Sequence, residues 1–265
     1  MAILERERNH SLDGMEIERL VARFHRDGCV VVPGVLALDE VAALKDAACV
    51  LLDDPRLAGS EYRETVMGTD LLRYLPELST LFRDLLVREP LLGLAEAIVG
   101  EGCRQCGCSV IRNTPGQAIS LWHVDDVVEF PLPPALPRHD THLQMPVNWV
   151  GIQIPLTDIE AEEYGPTQYV PGSHYSGRKP VTQDNPEFDG HGPTNIVCRA
   201  GDVYLQNFQC WHRGAPNRST RTRILMQMFY GRAWATKRFS YLRADRLTPE
   251  MLLGAGERLR QILGV

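Results

Sequence analysis

The sequence lacks a long hydrophobic run and lacks an excess of basic residues. No stretch reaches the about 18 consecutive apolar residues of a membrane-spanning helix, and the N-terminus is charged from Glu5 onward, unlike a secretory signal. The formal net charge is −6, so the basic footprint of a nucleic-acid-binding protein is missing. An acidic protein is also repelled by anionic membranes. We therefore expect neither a nucleic-acid partner nor a membrane partner.

The cysteines show no paired framework. There are seven of them, an odd number, which favours free thiols in a reducing compartment and predicts a cytoplasmic protein. Cys103 and Cys106 form a CxxC pair of the kind that begins some zinc sites. A structural zinc needs a second pair, but the next cysteine after Cys108 is Cys198. Alternating apolar residues around this stretch favour buried thiols on a strand instead.

The first hundred residues carry helical patterns. Apolar residues recur at helical spacing over 15–27 and 38–52, and two further helical pieces are expected within 77–99. Gly28 is expected to end the first helix, and Asp39 is expected to be the N-cap of the second. This region is therefore predicted to be mostly helical.

After Gly100, short β-branched or alternating runs are separated by proline and glycine. Strands are predicted near 105–112, 117–123, 147–156, 167–170, 194–198, 202–206 and 222–231. Many short strands predict a sandwich or barrel, and helices that precede them are expected to pack on one face of it. Two long loops cover 126–146 and 175–193, and a last helix is predicted over 248–263. No linker or repeat interrupts the chain, which predicts a single domain over 1–265.

Residues 121–126, LWHVDD, place a histidine and two carboxylates within a few positions. Three interpretations are open for this segment: a polar loop, a catalytic acid–base pair, or two ligands of a metal. If the segment is extended, His123 and Asp125 point to the same side and Asp126 to the other. The pair then suits one metal ion, although an isolated His-x-Asp pair is common by chance.

A second histidine and an arginine supply the missing parts. His212 follows a strand predicted to open at the Gly201–Asp202 turn, and Arg223 begins the next strand, with Arg221 as its alternative. Two histidines and one carboxylate form the facial triad of non-haem Fe(II) oxygenases, which leaves positions open for a bidentate 2-oxo acid and dioxygen. The planar fork of arginine suits the far carboxylate of that 2-oxo acid.

Together these segments resemble the phytanoyl-CoA dioxygenase family of Fe(II)/2-oxoglutarate-dependent oxygenases. The resemblance covers residues 24–231 and is carried by FHRDGCVVVPGVL, HVD, PLTDIEAEEYGPTQYVPGSH, AGDVYLQNFQ, and the spacing of His212 and Arg223. It implies a mainly β fold, namely a double-stranded β-helix (a cupin-like jelly roll) with helices packed on the outside.

The resemblance also implies a function. His123, Asp125 and His212 would bind catalytic Fe(II), Arg223 would bind 2-oxoglutarate, and O2 would be the second co-substrate. The expected enzyme is a dioxygenase, an oxidoreductase that hydroxylates or otherwise oxidises a small organic metabolite and releases succinate and CO2. Several relatives carry a hydroxyl residue two positions after the distal histidine, where this chain has Gly214, so the rest of the 2-oxoglutarate pocket stays undefined.

Two other functions are compatible with the sequence. A jelly-roll protein can use another divalent metal as a Lewis acid in a hydrolase or isomerase, or it can keep the scaffold only to bind a small molecule. Among other polar residues, His174 is expected to be structural, His139 and His142 to lie in a solvated loop, and Gln153 and Gln168 to be candidate pocket amides. Neither the substrate nor the oligomeric state is encoded in a motif.

Overall fold

The computed structural model describes residues 12–236 and 248–265. Its helices are α1 Gly14–Asp27, α2 Leu38–Leu52, α3 Leu75–Leu78, α4 Thr80–Leu85, α5 Leu91–Val99, α6 Pro249–Leu252 and α7 Glu257–Leu263. Its strands are β1 Cys29–Val32, β2 Arg63–Val66, β3 Thr69–Arg73, β4 Arg104–Asn113, β5 Trp149–Pro155, β6 Thr167–Tyr169, β7 Thr194–Asn195, β8 Val203–Gln206, β9 His212–Gly214 and β10 Arg223–Gly231. Among the described residues, no helix combines the length and the apolar character needed to cross a bilayer.

The strands form two antiparallel sheets. The larger sheet has seven strands in the order β1-β8-β5-β10-β4-β3-β2, and the smaller has three in the order β7-β6-β9. After β5 the chain leaves the large sheet for β6 and β7, returns for β8, leaves again for β9 and returns for β10. This alternation between two facing sheets is the arrangement expected of the predicted jelly roll.

The central strand β10 shows how the large sheet divides its two faces. Ile224, Met226 and Met228 are buried in the main hydrophobic core, on the face covered by helices α1 and α5. Since side chains alternate along a strand, Arg223 and Gln227 lie on the opposite face and line a cavity beneath the small sheet. The apolar face contributes stability, roughly 1.5–3 kcal/mol for each fully buried large side chain, while the other face is available for function.

Helix α1 begins and ends as local chemistry predicts. Asp13 and Glu16 form a capping box, in which each side chain accepts a hydrogen bond from the backbone N–H of the other. Gly28 ends the helix in the left-handed region at φ 81°, as predicted. Its carbonyl accepts a hydrogen bond from the backbone N–H of Asn207 at 2.8 Å. The end of α1 is thereby tied to the connection between β8 and β9.

Some local predictions were wrong. Helix α2 has the predicted bounds, but Asp39 is not its N-cap: the N-cap is Ala37, two residues earlier, and Asp39 lies in the first turn. The strand predicted over 117–123 does not form, because its backbone makes single hydrogen bonds to residues 212–217 instead of a continuous ladder. The predicted last helix is two short helices, since Gly254 adopts a left-handed φ of 70° between them.

One element was missed altogether. Strands β2 and β3 form a hairpin at the edge of the large sheet, next to β4. The region was predicted as part of a mostly helical half, and its short strands carry polar and charged residues that hide the strand pattern. Asn113 donates from its side-chain amide to the hydroxyl of Thr69 at 3.0 Å, which fixes the hairpin against the end of β4.

Candidate metal centre and co-substrate pocket

Three metal-ligating side chains meet beside β9. One ligand atom from each of His123, Asp125 and His212 lies within 4.8 Å of the others. The Nε2 atom of His123 is 3.4 Å from Oδ1 of Asp125, and the Nε2 atom of His212 is 3.7 Å from Oδ2 of Asp125. Asp125 and His212 are buried, whereas the side chain of His123 is 34% exposed. Solvent therefore reaches the cluster from the side of His123, while the protein interior encloses Asp125 and His212.

Backbone hydrogen bonds hold the three ligands together without a regular strand. His123 and His212 form an antiparallel bridge in which each backbone N–H donates to the carbonyl of the other at 3.0 Å. The N–H of Asp125 donates to the carbonyl of Phe208, also at 3.0 Å. A strand over 117–123 was expected to place the imidazole of His123 and the carboxylate of Asp125 on the same side of the segment. The isolated bridge gives the same placement without a regular strand.

Both histidine rings are oriented by backbone carbonyls. The Nδ1 atom of His123 lies 2.7 Å from the carbonyl oxygen of Leu121, and that of His212 lies 2.8 Å from the carbonyl oxygen of Cys210. A carbonyl only accepts, so the neutral form of each ring carries its proton on Nδ1 and keeps a lone pair on Nε2. Metal-ligating histidines have this second-shell arrangement. The donor set, two imidazole nitrogens and one carboxylate, fits the facial triad of Fe(II).

Burial and charge act differently on the two imidazoles. Burial lowers the pKa of His212 to about 4, and the neighbouring His123 acts in the same direction. Burial also lowers the pKa of His123, but the hydrogen bond and the charge of Asp125 outweigh it, so that its pKa is raised overall. His212 is therefore neutral at pH 7, in the form that binds a metal.

Arg223 is a buried cation at the first position of β10. It is 4% exposed, and its guanidinium donates to the carbonyl of Gly165 and to Oδ1 of Asn113. Its Nε is buried without a partner, and burial lowers its pKa. No carboxylate within 12–236 or 248–265 forms an ion pair with it. Since a buried charge without a counter-ion is strongly destabilising, this environment suits an anionic ligand.

One cavity joins the metal ligands to Arg223. Its volume is about 320 Å³, and its walls include the three ligands, Arg223, and side chains from the β2–β3 hairpin. The other lining residues comprise apolar side chains, two amides, two threonines, an arginine and a glycine: Val66, Met67, Leu71, Ile111, Ile119, Leu121, Phe208, Leu225, Gln206, Gln227, Thr69, Thr167, Arg213 and Gly214. A dicarboxylate bound to Arg223 therefore shares its compartment with the triad.

The sequence matches one protein family over most of its length. The model of the phytanoyl-CoA dioxygenase (PhyH) family matches residues 24–225. The chain belongs to the phytanoyl-CoA dioxygenase family. The resemblance noted from its motifs is thereby confirmed. Among curated proteins, it is 26% identical over 215 residues to dioxygenase af480 of Aspergillus fumigatus, covering 77% of this chain. The matched region spans 62% of that relative, less than two thirds of its length.

Solved structures share the fold. The non-haem α-ketoglutarate-dependent epimerase SnoN from nogalamycin biosynthesis superposes with a TM-score of 0.64 at 24% identity, covering 83% of this chain and 85% of that one. SnoN in complex with Fe3+, α-ketoglutarate and nogalamycin RO gives the same TM-score at 25% identity, with the same coverage. HygX from Streptomyces hygroscopicus, with nickel and 2-oxoglutarate bound, gives 0.63 at 22% identity, covering 82% and 87% of the two chains. The predicted jelly-roll fold class is confirmed.

The structure distinguishes the two arginines considered for 2-oxoglutarate binding, and the two aspartates considered for metal binding. Arg221 is exposed and stacks over the ring of Tyr164 at 4.0 Å, whereas Arg223 lines the cavity. Asp126 adopts a left-handed φ of 58° and lies outside the ligand cluster that contains Asp125. The alternation argument applied to the HVDD segment thus selects the same side chains as the geometry.

The other histidines within the described residues lie outside the candidate metal cluster. His174 donates from Nε2 to the carbonyl of His25 at 2.9 Å, and burial lowers its pKa to about 4. His139 bonds through Nε2 to the carbonyl of Phe130, and His142 is exposed beside Asp140. These contacts agree with a structural role for His174. The other two lie in the proline-rich loop. His139 bonds there to a backbone carbonyl, whereas the exposed His142 bonds to the side chain of Asp140.

The pocket amides were only partly identified from sequence. Gln153 accepts a hydrogen bond from Gln227 at 3.0 Å, and Gln168 accepts one from Arg213 at 2.8 Å, so both support residues that line the cavity. The amides that line it directly are Gln206 and Gln227. Counting alternate positions along β10 from Arg223 would have found Gln227, because residues two apart share a face.

Proposed function

We propose that this protein is an Fe(II)/2-oxoglutarate-dependent dioxygenase that hydroxylates a small organic metabolite and releases succinate and CO2. His123, Asp125 and His212 hold the iron, Arg223 binds the C5 carboxylate of 2-oxoglutarate, and O2 is the second co-substrate. The observation that carries the proposal is the position of Arg223. Among the described residues this buried cation has no counter-ion, and it opens onto the same cavity as the three candidate metal ligands.

Each residue of the site has a defined task in this proposal. Iron with 2-oxoglutarate would supply the activation of O2, coupled to oxidative decarboxylation of the co-substrate. The carbonyls of Leu121 and Cys210 keep the protons on Nδ1, so that the Nε2 lone pairs stay available. Arg223 fixes one end of the dicarboxylate, and this orients its other end towards the triad.

The relatives support a small-molecule substrate. SnoN, at 25% identity, binds Fe3+, α-ketoglutarate and nogalamycin RO together. For this chain we propose the same combination of a metal, a 2-oxo acid and a small organic molecule, in a cavity of about 320 Å³. Pockets of this size bind drug-sized ligands. The net charge of −6 argues against nucleic acid as a partner.

A cytoplasmic location is also part of the proposal. All seven cysteines are free thiols, and all except Cys49 are buried. Burial raises the pKa of Cys103 and Cys198 to about 12, which keeps these thiols protonated and unreactive. Unpaired thiols are typical of reducing compartments.

The decisive experiment is an anaerobic titration of metal-stripped protein with Fe(II) and then 2-oxoglutarate, followed by visible spectroscopy. A 2-oxo acid chelated to Fe(II) gives a weak metal-to-ligand charge-transfer band. We expect the band in the parent protein, its loss in His123→Ala, and its weakening in Arg223→Ala. Arg221→Ala is the matched control, because Arg221 is exposed and stacks on Tyr164; this variant should keep the band.

Absence of the charge-transfer band would contradict the proposal. If the folded parent protein gives no band, the oxygenase proposal fails. A protein that uses another divalent metal as a Lewis acid, or one that only binds a small molecule, then becomes the better explanation of the fold.

A further inference from the structure

One amide in the wall of the cavity has a buried hydrogen-bond donor without a partner. Gln206 is the last residue of β8, lines the cavity and is only 2% exposed. Its Nε2 is buried and has no hydrogen-bond partner within 12–236 or 248–265. A buried donor left in this state is destabilising, and native proteins pair nearly all such groups. An unpartnered amide in a cavity wall therefore points to a ligand that supplies the partner.

The other amide and hydroxyl side chains of the cavity wall are hydrogen-bonded to neighbouring side chains. The hydroxyl of Thr69 accepts a hydrogen bond from an asparagine amide at 3.0 Å, and the hydroxyl of Thr167 lies 2.8 Å from a tyrosine hydroxyl. Gln227 accepts a hydrogen bond from a serine at 3.2 Å and donates one to another glutamine at 3.0 Å. These contacts belong to the protein itself, whereas Nε2 of Gln206 is left for a bound molecule.

The register of the large sheet separates Gln206 from the arginine that is proposed to bind 2-oxoglutarate. Gln206 pairs with Gly151 on β5, and Gly151 pairs with Phe229 on β10. Phe229 lies six residues along β10 from Arg223, and at about 3.4 Å per residue this is about 20 Å of strand. 2-Oxoglutarate has only five carbons, with one carboxylate on Arg223 and the other end directed at the triad. Gln206 is therefore available to a second ligand.

Phe208 connects the unpartnered amide to the candidate metal centre. It follows Gln206 by two residues, and its carbonyl accepts the backbone N–H of Asp125 at 3.0 Å. The centre of its ring is 5.9 Å from that of the His212 ring. The same ring lies over Gly151, where an added Cβ would collide with it. The segment that carries the amide is therefore in direct contact with two of the candidate metal ligands.

We infer that Gln206 binds an oxygen atom of the prime substrate through its amide N–H, so that the substrate carries a carbonyl or hydroxyl group at this point. The inference rests on the proposed function, since it takes 2-oxoglutarate as the ligand of Arg223. Half a turn of the side-chain amide exchanges Nε2 and Oε1, so the N–H groups can face the bound oxygen. A site with a buried donor discriminates against an analogue that lacks the matching oxygen, because the donor then stays unpaired.

The test uses two neutral probes that differ in one group. Acetophenone has a carbonyl oxygen where α-methylstyrene has a methylene group, so the two are matched in shape and charge. Their para-fluoro derivatives are titrated separately into the complex of the full chain with Zn(II) and 2-oxoglutarate, which does not turn over, and fluorine NMR gives each Kd. We expect Gln206→Met to weaken the ketone by about fivefold, the contribution of one hydrogen bond, and the alkene by less than about twofold.

Thermal unfolding of the ligand-free variants separates substrate binding from a structural role. Gln206→Met removes an amide whose Nε2 has no partner, so this variant should melt no lower than the parent protein. Gln227→Met is the comparison, because it removes an amide that is hydrogen-bonded on both sides and leaves two partners unpaired. It should melt lower than the parent. An equal fall in both variants would show that Gln206 is structural.

Three binding results would also overturn the inference. One is a ketone that does not bind the parent complex, and another is equal weakening of the ketone and the alkene in Gln206→Met. The third is a fivefold or larger loss of 2-oxoglutarate affinity in Gln206→Met, which would assign the amide to the co-substrate. The Fe(II)–2-oxoglutarate band is recorded on the same proteins. A retained band with any of these results rejects only the role of Gln206, whereas a missing band in the parent rejects the proposed function and this inference with it.

Discussion

Gly214 is the residue at which this chain departs from relatives that place a hydroxyl group two positions after the distal histidine. It lies at the end of β9 and lines the cavity with Arg223. An added Cβ would meet Ile119 at 3.4–3.6 Å, which is ordinary contact, and its backbone is not left-handed. Space and backbone conformation therefore both permit a side chain at this position. With glycine, this part of the cavity wall has no side-chain hydrogen-bond donor for 2-oxoglutarate.

Gly214→Ser should strengthen 2-oxoglutarate binding. The serine hydroxyl would add one hydrogen bond to a carboxylate, and this corresponds to about a fivefold lower Kd. Calorimetric titration of the Ni(II)-loaded protein with 2-oxoglutarate measures the change. Gly214→Ala is the control, because it adds the Cβ without the hydroxyl and should leave the Kd unchanged. Equal effects of serine and alanine would show that the hydroxyl is not responsible.

Single residues show how far chemistry alone can identify a site. The candidate ligands His123, Asp125 and His212 were chosen from residue type and spacing, and the structure brings them within 4.8 Å of one another. Their assignment as iron ligands stays a prediction until the metal is added. Met67 also lines the cavity, but it could not be identified from residue type and spacing. A sequence pattern shows neither the backbone conformation nor the exposure of a single apolar residue.

At the scale of elements, the end of helix α1 is coupled to the distal ligand. Gly28 has a φ of 81°, and a Cβ there would lie 2.7 Å from Sγ of Cys210 and 2.9 Å from Nδ1 of His174. Cys210 in turn supplies the carbonyl that orients His212. The glycine is thus required both by the helix end and by the close approach of the segment that carries the ligand.

Gly28→Ala should destabilise the protein strongly. A left-handed alanine adds backbone strain and the contact with Cys210 must relax, so we expect the free energy of unfolding to fall by about 2–4 kcal/mol. Urea unfolding gives the value. Gly14→Ala, at the other end of the same helix, meets nothing within 4 Å and should change stability by less than about 0.5 kcal/mol. Similar losses in both variants would contradict the packing explanation.

The elements also show where sequence patterns lose information. Helix α1 was predicted within one residue because its periodicity and its terminal glycine are local signals. A strand was predicted over 117–123, ending at the HVD segment, but what forms there is an isolated bridge at His123. The β2–β3 hairpin was missed, since a turn of Met67 and Gly68 lacks the usual signal for a two-residue turn.

At the scale of the whole molecule, the candidate metal centre and its cavity link two parts of the fold. His212 belongs to the small sheet, whereas Asp125 lies in a connecting segment and Arg223 begins the central strand of the large sheet. A metal and a 2-oxo acid bound to these groups would hold the sheets together in the folded state only. Ligands that bind the folded but not the unfolded chain stabilise it by mass action.

Ni(II) should therefore raise the melting temperature of the metal-free protein. At a free concentration 100 times its Kd the stabilisation is about 2.7 kcal/mol, or a shift of about 5–10 °C for a protein of this size. A further shift with 2-oxoglutarate should be larger in the presence of the metal, and a chelator should reverse both. Asp125→Ala should lose both shifts. If 2-oxoglutarate shifts the parent equally with and without metal, the two sites are not one compartment.

The sequence by itself determined the family, because the family is carried by motifs of fixed spacing, and it determined the residue types of the site. Local periodicity predicted a sandwich or barrel of short strands, and the family resemblance implied that this is a mainly β jelly roll. Only the tertiary structure decided that Arg223 is buried in the cavity of the candidate metal ligands with no counter-ion among residues 12–236 and 248–265, while Arg221 faces solvent. Only the tertiary structure also placed Met67 and Leu121 in the wall of the same cavity. These facts depend on which distant segments the sheets bring together, and burial, charge compensation and strain exist only once those segments are packed.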